Sequence, residues 1–369
     1  MRAIVLVGGE GTRLRPLTYT LPKPLLPIAN VAFLERQLAW LGRHGVDEVV
    51  LSLGYLPDAF VAHFPDGKCG GVRLQYAVEA EPLGTAGGIR YAADRVGIAE
   101  RFVVCNGDVL TELDLSALVR FHEERGAEAT IHLTRVPDPS AFGVVPTGDD
   151  GEVKAFVEKP PRGRAPTDWI NAGTYVLEPS VLAGIPAGLT VSIERETFPR
   201  MLDHPRRLFA YQSDGYWLDI GTPEKYLEAH ADVLAGRLGP AALPVDAFEH
   251  APGVWCEGDV TIAEGAGVEG PVLVGAGSTV GPGASVARSV LGAGCVVGPG
   301  ARVVRSVLLD QVRLGPEAEV IDSIVGPGAI LERAVSVGDH TIVGAAVAVS
   351  AGSRVTGARI HIPGAPAAR

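Results

Sequence analysis

Gly8, Gly9 and Gly11 are followed at once by Thr12, Arg13 and Arg15, and the turn they form comes directly after the apolar run 3–7. Glycine lets backbone N–H groups close on an anion and guanidinium groups offset its charge, so this spacing suits phosphates. Lys23-Pro24 adds a point charge shortly afterwards. No Gly-Lys-Ser/Thr follows, so the turn is not a Walker A loop. Leu14 stands where a dinucleotide fingerprint needs glycine, which argues against a Rossmann dehydrogenase. A tight strand-to-helix turn also uses glycine for conformation alone, so the loop needs support from elsewhere.

That support lies far away in sequence. The buried-type run 102–105 leads straight into Asn106-Gly107-Asp108, and ligands of open α/β sheets bind at the carboxyl ends of strands. Asp108 thus stands where a metal-binding carboxylate is useful, although a turn aspartate also caps its own backbone. Trp217-Leu218-Asp219-Ile220-Gly221-Thr222-Pro223 offers a second carboxylate. Thr222 reads as a helix N-cap and Pro223 as the first helical residue, which leaves Asp219 for other work. Two such carboxylates can hold Mg2+ together with phosphate oxygens. Glu158-Lys159-Pro160 ends another apolar run with an acid beside a base, and Asn171-Ala172-Gly173 offers an amide and bare backbone. A second glycine-rich turn, 81–88, has too little positive charge for a triphosphate, so Gly84 is read as a contact for a flat nucleobase. Each of these segments alone is as well explained by structure.

The elements that must position these residues alternate regularly. Strands are expected at 3–7, 48–53, 74–78, 102–105, 130–135, 153–157, 174–177 and 208–211, and helices at 33–44, 86–96, 115–124, 193–202 and 223–235. The expected fold is α/β: a Rossmann-like, mostly parallel mixed sheet with helices on both faces. After about residue 254 a different rule takes over. Ile262, Val268, Val274, Val280 and Val286 recur every six residues, and five-residue steps at Leu291, Leu308 and Val325 restart the count. Such hexads point to a parallel β-helix with one aliphatic per hexad turned into a narrow prism. The expected division is 1–237 catalytic, 238–253 linker, 254–363 β-helix and 364–369 tail.

Composition bounds the rest. The 369 residues carry a formal charge of −11, which argues against general nucleic-acid binding but not against a local basic pocket. Only five lysines are present, and two of them, Lys23 and Lys159, fall in the segments above. Cys69, Cys105, Cys256 and Cys295 have no C-x-x-C spacing, which fits free thiols in a reducing cytoplasm. No apolar run is long enough to span a bilayer, so no membrane partner is expected.

Taken together the segments resemble the sugar-1-phosphate nucleotidyltransferases. The shared pattern is Gly-Gly-x-Gly-Thr-Arg-Leu-x-Pro-Leu-Thr, Lys-Pro, Leu-Gly-Thr-Ala-Gly, Gly-Asp, Val-Glu-Lys-Pro, Asn-Ala-Gly and Trp-x-Asp-Ile-Gly, all in that order. The hexads match the left-handed β-helix that follows the catalytic domain in several members. Lys23-Pro24 and the segment Ser192-Ile193-Glu194-Arg195-Glu196-Thr197-Phe198-Pro199 look most like the mannose-1-phosphate guanylyltransferase branch. Longer thymidylyl- and uridylyltransferases share much of the pattern.

The resemblance implies that mannose 1-phosphate and GTP give GDP-mannose and pyrophosphate. It implies that Gly8, Gly9, Gly11, Thr12 and Arg13 wrap the triphosphate, that Lys23 acts at the α-phosphorus and that Gly84 contacts the base. Asp108 and Asp219 would hold Mg2+. Lys159 would bind the sugar phosphate, while Glu158, Asn171 and Gly173 read sugar hydroxyls. A non-catalytic regulator is a competing reading, against which stands the complete set Arg13, Lys23, Asp108, Lys159 and Asp219. An acyltransferase β-helix is another, with His340 and His361 as the histidines in its hexads. A homo-oligomer is expected because a solenoid needs its ends covered.

Overall fold

The computed structural model describes residues 1–203, 207–239 and 242–361. The tail expected at 364–369, and the last two residues of the expected β-helix, lie outside them. The chain forms two compact units, one of Met1–Gly9 with Leu34–Leu218, the other of Glu10–Phe33 with Asp219–Arg369. The glycine turn is where the chain leaves the first unit.

The first unit is built on a ten-stranded mixed sheet. Arg2–Leu6 lies between Glu48–Leu53 and Phe102–Asn106, parallel to both, and Val72–Val78 extends the parallel part. Glu48–Leu53, and all but the end residues of Arg2–Leu6 and Phe102–Asn106, are buried on both faces, whereas Val72–Val78 alternates buried with exposed residues. Helix Gly84–Val96 packs on one face through Ala86, Ile89, Ala92 and Ala93 against Ile4, Val50 and Ala77. Helix Leu115–Arg125 lies on strands Ala129–Arg135, Trp169–Leu177 and Leu208–Gln212, where buried His122 bonds Thr130. Thr130 and Ile131 are adjacent in the strand and so face opposite sides.

Three expectations change. Residues 153–157 are not a continuous strand: Glu152 and Val153 make isolated bridges, and only Val157–Glu158 is paired as a strand. The single helix expected at 193–202 is a π-turn, Ile193–Thr197, followed by the short helix Phe198–Met201. Pro199 has no N–H for the carbonyl of Arg195, so a regular ladder cannot run through it. The strand expected from 174 begins at Trp169, with an irregularity between Asn171 and Tyr175.

In the second unit, three parallel sheets close a β-helix. Leu273 pairs with Val290 and Val254 with Val272, so one coil takes 17 or 18 residues. Five-residue steps in the hexad count produce the shorter coils. The counted aliphatics form the interior, with Val286, Val303 and Val320 stacked on one face and Val274, Leu291 and Leu308 on another. Buried Ser289, Ser306 and Ser323 stack at a corner. The amides of Ser306 and Ser323 each donate to the hydroxyl of the serine one coil before, and each hydroxyl donates to the carbonyl two residues back. Each of the three buried hydroxyls is thereby hydrogen-bonded.

On the outer side of one face, Leu273, Val290, Val307, Ile324 and Ile342 are as buried as the interior. The arm Glu10–Phe33 reaches this side: Asn30 Nδ2 donates to the Leu291 carbonyl and to Glu257, and Pro16 packs beside Gly344. Helix Pro223–Leu234 holds the same arm, with Tyr226 donating to the Pro27 carbonyl and His230 accepting from the Ala29 amide. Thr222 caps that helix as expected. Within the segment expected as a linker, Ala247–Ala251 forms a strand antiparallel to Val254–Glu257.

Candidate active site

In the first unit the carboxyl ends of the parallel strands form a rim. Leu6 and Asn106 are register partners, so the glycine turn and Asp108 leave neighbouring strands at the same level. The path is tight. A Cβ at Gly107 would lie 2.4 Å from Val7 Cγ1 and 2.7 Å from the Leu6 carbonyl oxygen, so only glycine lets the chain turn into Asp108. Asp108 itself is half-buried.

Beside it, Thr174 pairs with Cys105, which brings 171–173 alongside Asn106. Gly173 has φ of +75°, and a Cβ there would meet Asn106 Nδ2 at 2.6 Å. Asn171 is internally engaged: its Oδ1 accepts from the Gly173 amide and its Nδ2 donates to the Tyr175 hydroxyl. The amide expected to meet a sugar therefore also shapes the bulge that carries Gly173. Complete burial, with Glu194 nearby, pushes the Tyr175 phenol well above its usual pKa, so it stays a neutral donor or acceptor.

The rim continues through Gly143, the register partner of Glu158. The Glu158 carboxylate lies 3.8 Å from both Lys159 Nζ and Arg195. Lys159 has φ of +47° and its amide donates to the Phe142 carbonyl, so its exposed side chain projects from a fixed backbone.

The Gly84 turn is stitched to 190–194. A Cβ on Gly84, at φ of +70°, would lie 2.7 Å from the Val191 carbonyl oxygen, and the amides of Ala86 and Gly87 donate to that oxygen. Thr85 Oγ accepts from the Ile193 amide and donates to Glu194, which also accepts from Ser192 Oγ. Packing explains the glycine at 84 by itself.

The second unit carries Arg13 and Lys23. Gly11, at φ of +62°, opens the single turn Thr12–Leu14, and Thr18 Oγ donates to its carbonyl. A Cβ on Gly11 would press on Lys23 and Thr18 at 3.0 Å. Lys23 is almost wholly buried, and its Nζ lies 3.9 Å from Asp219 Oδ1. Arg13 comes to the same place. A Cβ on Gly221 would be 2.4 Å from Arg13 Nη2 and 2.9 Å from Asp219 Oδ1. Arg15 is held apart by Glu10 and stacks over Tyr19.

The expected residues thus divide between the units. Gly8, Gly9, Gly84, Asp108, Glu158, Lys159, Asn171 and Gly173 belong to the first, and Gly11, Thr12, Arg13, Lys23 and Asp219 to the second. Gly221 was missed, although it stands in the quoted Trp-x-Asp-Ile-Gly run. Arg195 was missed because it fills the unspecified place of its segment. Among the described residues no helix is long and apolar enough to cross a membrane.

The nucleotidyl transferase family matches residues 2–236, and the domain described as "EIF2B subunit epsilon LbH domain" matches 252–355. The β-helix is accordingly left-handed. A mannose-1-phosphate guanylyltransferase of Mycobacterium tuberculosis is 41% identical over 78% of this chain and 79% of its own. Mannose-1-phosphate guanylyltransferase 1 of Arabidopsis thaliana is 40% identical over 78% of this chain and 80% of its own. A UTP–glucose-1-phosphate uridylyltransferase of Synechocystis is 34% identical over 78% of this chain and 76% of its own. The crystal structure of HddC from Yersinia pseudotuberculosis superposes with a TM-score of 0.55 at 30% identity, covering 63% of this chain and 99% of that one. The same protein complexed with GMP-PN gives a TM-score of 0.54, with the same identity and coverage.

Proposed function

We propose that this chain, which belongs to the nucleotidyl transferase family, moves the guanylyl group of GTP onto mannose 1-phosphate and releases GDP-mannose and pyrophosphate. The observation that carries the reading is the cluster Arg13, Lys23, Asp219 and Gly221, in which Lys23 faces the Asp219 carboxylate and Arg13 lies with that carboxylate beside the bare backbone of Gly221. Relatives named as mannose-1-phosphate guanylyltransferases, at 40% and 41% identity over most of both chains, support the choice of base and sugar.

In this reaction a phosphate oxygen of mannose 1-phosphate attacks the α-phosphorus of GTP. The bond to the β-phosphate oxygen breaks, and pyrophosphate leaves with the electron pair. The attacking phosphate is already ionised near neutral pH, so no general base is needed. What the protein must supply is alignment and positive charge between two polyanions. Gly8, Gly9, Gly11 and Thr12 line the triphosphate. Arg13 neutralises the departing pyrophosphate, and buried Lys23 acts where charge gathers around the α-phosphorus. Lys159 binds the sugar phosphate. Glu158, Asn171 and Gly173 face the sugar hydroxyls, and the Gly84 turn contacts guanine.

The donor chemistry suits a hard divalent cation. Asp108 and Asp219 are carboxylates, neither of them fully buried, and both can share a cation with phosphate oxygens. Mg2+ held by these two residues would supply further neutralisation of phosphate charge.

The matched spans support a catalytic region 1–237 and a β-helix 254–363, joined by 238–253. A homo-oligomer accompanies this reading, because a solenoid needs its ends covered. None of the four cysteines forms a disulfide, which supports a cytoplasmic setting. The testing experiment is a matrix of GTP, UTP, dTTP and ATP against mannose and glucose 1-phosphates, scored by pyrophosphate release. GTP with mannose 1-phosphate is expected to give the highest kcat/KM. A clear preference for UTP or dTTP with glucose 1-phosphate would overturn the assignment.

A further inference from the structure

One short element reaches two separate parts of the rim. The π-turn Ile193–Thr197 interrupts what would otherwise be a helix, and such interruptions recur at functional sites. Its consecutive residues Glu194 and Arg195 act in different places. Glu194 Oε2 accepts at 2.8 Å from Thr85 Oγ, in the turn that begins with Gly84. The Arg195 guanidinium lies 3.8 Å from Glu158 Oε1, the oxygen that also faces Lys159 Nζ at 3.8 Å. In a regular helix neighbouring residues diverge by about 100° and stay in one ladder. On this turn one side chain holds a loop and the next faces a carboxylate.

The two attachments differ in kind. The Glu194 side is firm: Thr85 Oγ both donates to the carboxylate and accepts from the Ile193 amide, and Ser192 Oγ donates to the same Oε2. A charge-assisted bond in partly buried surroundings is among the stronger hydrogen bonds. The Arg195 side is loose. Its side chain is 65% exposed and lies beyond hydrogen-bond reach of Glu158, so it restrains that carboxylate by charge.

We propose that the π-turn 193–197 sets the two substrate subsites against one another, with Glu194 a positioning residue for the nucleotide turn and Arg195 a positioning residue for Glu158. This rests on the reading of Gly84 and Glu158 given above. Glu194 keeps the 83–87 backbone in the shape that receives the base. Arg195 draws Glu158 to one side, so that its second oxygen, which lies against Gly143, is oriented for a sugar hydroxyl. The same turn is attached to both subsites.

The test compares Arg195→Ala, Glu194→Gln and their double variant with the parent enzyme, in steady-state kinetics and in calorimetric titration of GTP and of mannose 1-phosphate. Arg195→Ala is expected to weaken mannose 1-phosphate about fivefold, leaving GTP affinity unchanged. Glu194→Gln is expected to weaken GTP about tenfold, with mannose 1-phosphate less affected. The double variant should depart from the product of the single effects, since one turn carries both. Arg195→Lys keeps the charge and should restore most of the mannose 1-phosphate affinity. Equal losses for both substrates in each single variant, or no loss of mannose 1-phosphate affinity in Arg195→Ala, would overturn the proposal. A parent enzyme without guanylyl transfer would instead overturn the reading on which it rests, and the proposal with it.

Discussion

The rim of the sheet and the β-helix both depend on close backbone packing, but they reach it by opposite rules. In the β-helix one register of 17 or 18 residues decides almost every position, so Val286, Val303 and Val320 all answer to the same neighbour one coil away. At the rim each residue answers to a different neighbour: Gly107 to Val7, Gly173 to Asn106 and Gly84 to Val191; in the second unit Gly221 answers likewise to Arg13. A repeat spreads its requirements over many equivalent residues. A site concentrates them, and that difference predicts which substitutions cost activity and which cost stability.

The largest separation is expected at Asp108. Asp108→Asn keeps the volume of a half-buried side chain but removes its charge, so kcat should fall by about a thousandfold. The melting temperature should stay close to that of the parent protein. Differential scanning fluorimetry beside turnover reads both, and a parallel loss of the two would erase the contrast.

Leu308→Ala should behave in the opposite way. Its side chain is fully buried in the prism, and the truncation should cost about 3 kcal/mol of stability in denaturant unfolding. At temperatures where the fold persists, KM for both substrates should remain unchanged.

Gly221→Ala sharpens the comparison, because it adds one methyl where the Arg13 guanidinium already lies. Displacing that cation by about an ångström should lower kcat about a hundredfold. The expected signature is a fall in kcat with little change in unfolding midpoint. Wild-type turnover would show that Arg13 is not placed for the reaction.

The smallest effect concerns pH. His132 is buried in the sheet with neither ring nitrogen bonded among the described residues, and burial pushes its pKa down to about 3. A folded-state pKa below the unfolded value near 6.5 means that the stability is present above about pH 6.5 and is lost as pH falls toward 3. From this residue alone the loss between pH 7 and pH 5 should be about 2 kcal/mol. His132→Leu should flatten the pH dependence of urea unfolding over that interval. An unchanged slope would assign the acid sensitivity elsewhere.

How much of this was legible in the sequence follows from the same contrast. The hexads could be counted, and the counted aliphatics line the prism because periodicity survives without any knowledge of long-range contacts. The sheet strands were legible where apolar runs are covered on both sides, as at Glu48–Leu53. Residues 153–157 look like one strand because their apolar residues alternate, but Val153 makes only an isolated bridge and pairing resumes at Val157. The spacing of 193–202 looks helical until Pro199 removes a donor, which hides the π-turn.

At the site, residue types announced Arg13, Lys23 and Asp219, but nothing local foretold that Lys23 lies beside Asp219, which is set by contacts across most of the chain. The same holds for the arm Glu10–Phe33. In sequence it follows the first strand, yet it is pinned to the β-helix through Asn30 and Pro16. A period cannot encode a contact of that range.

The most direct measurement follows phosphorus itself. The purified chain is mixed with GTP, mannose 1-phosphate and Mg2+, and 31P NMR records where the α-phosphorus goes. The account predicts that a sugar-linked diphosphate and free pyrophosphate appear one for one, and that Arg13→Ala nearly abolishes both. Release of orthophosphate without a new sugar diphosphate, or no change in the spectrum with active-concentration enzyme, would contradict it.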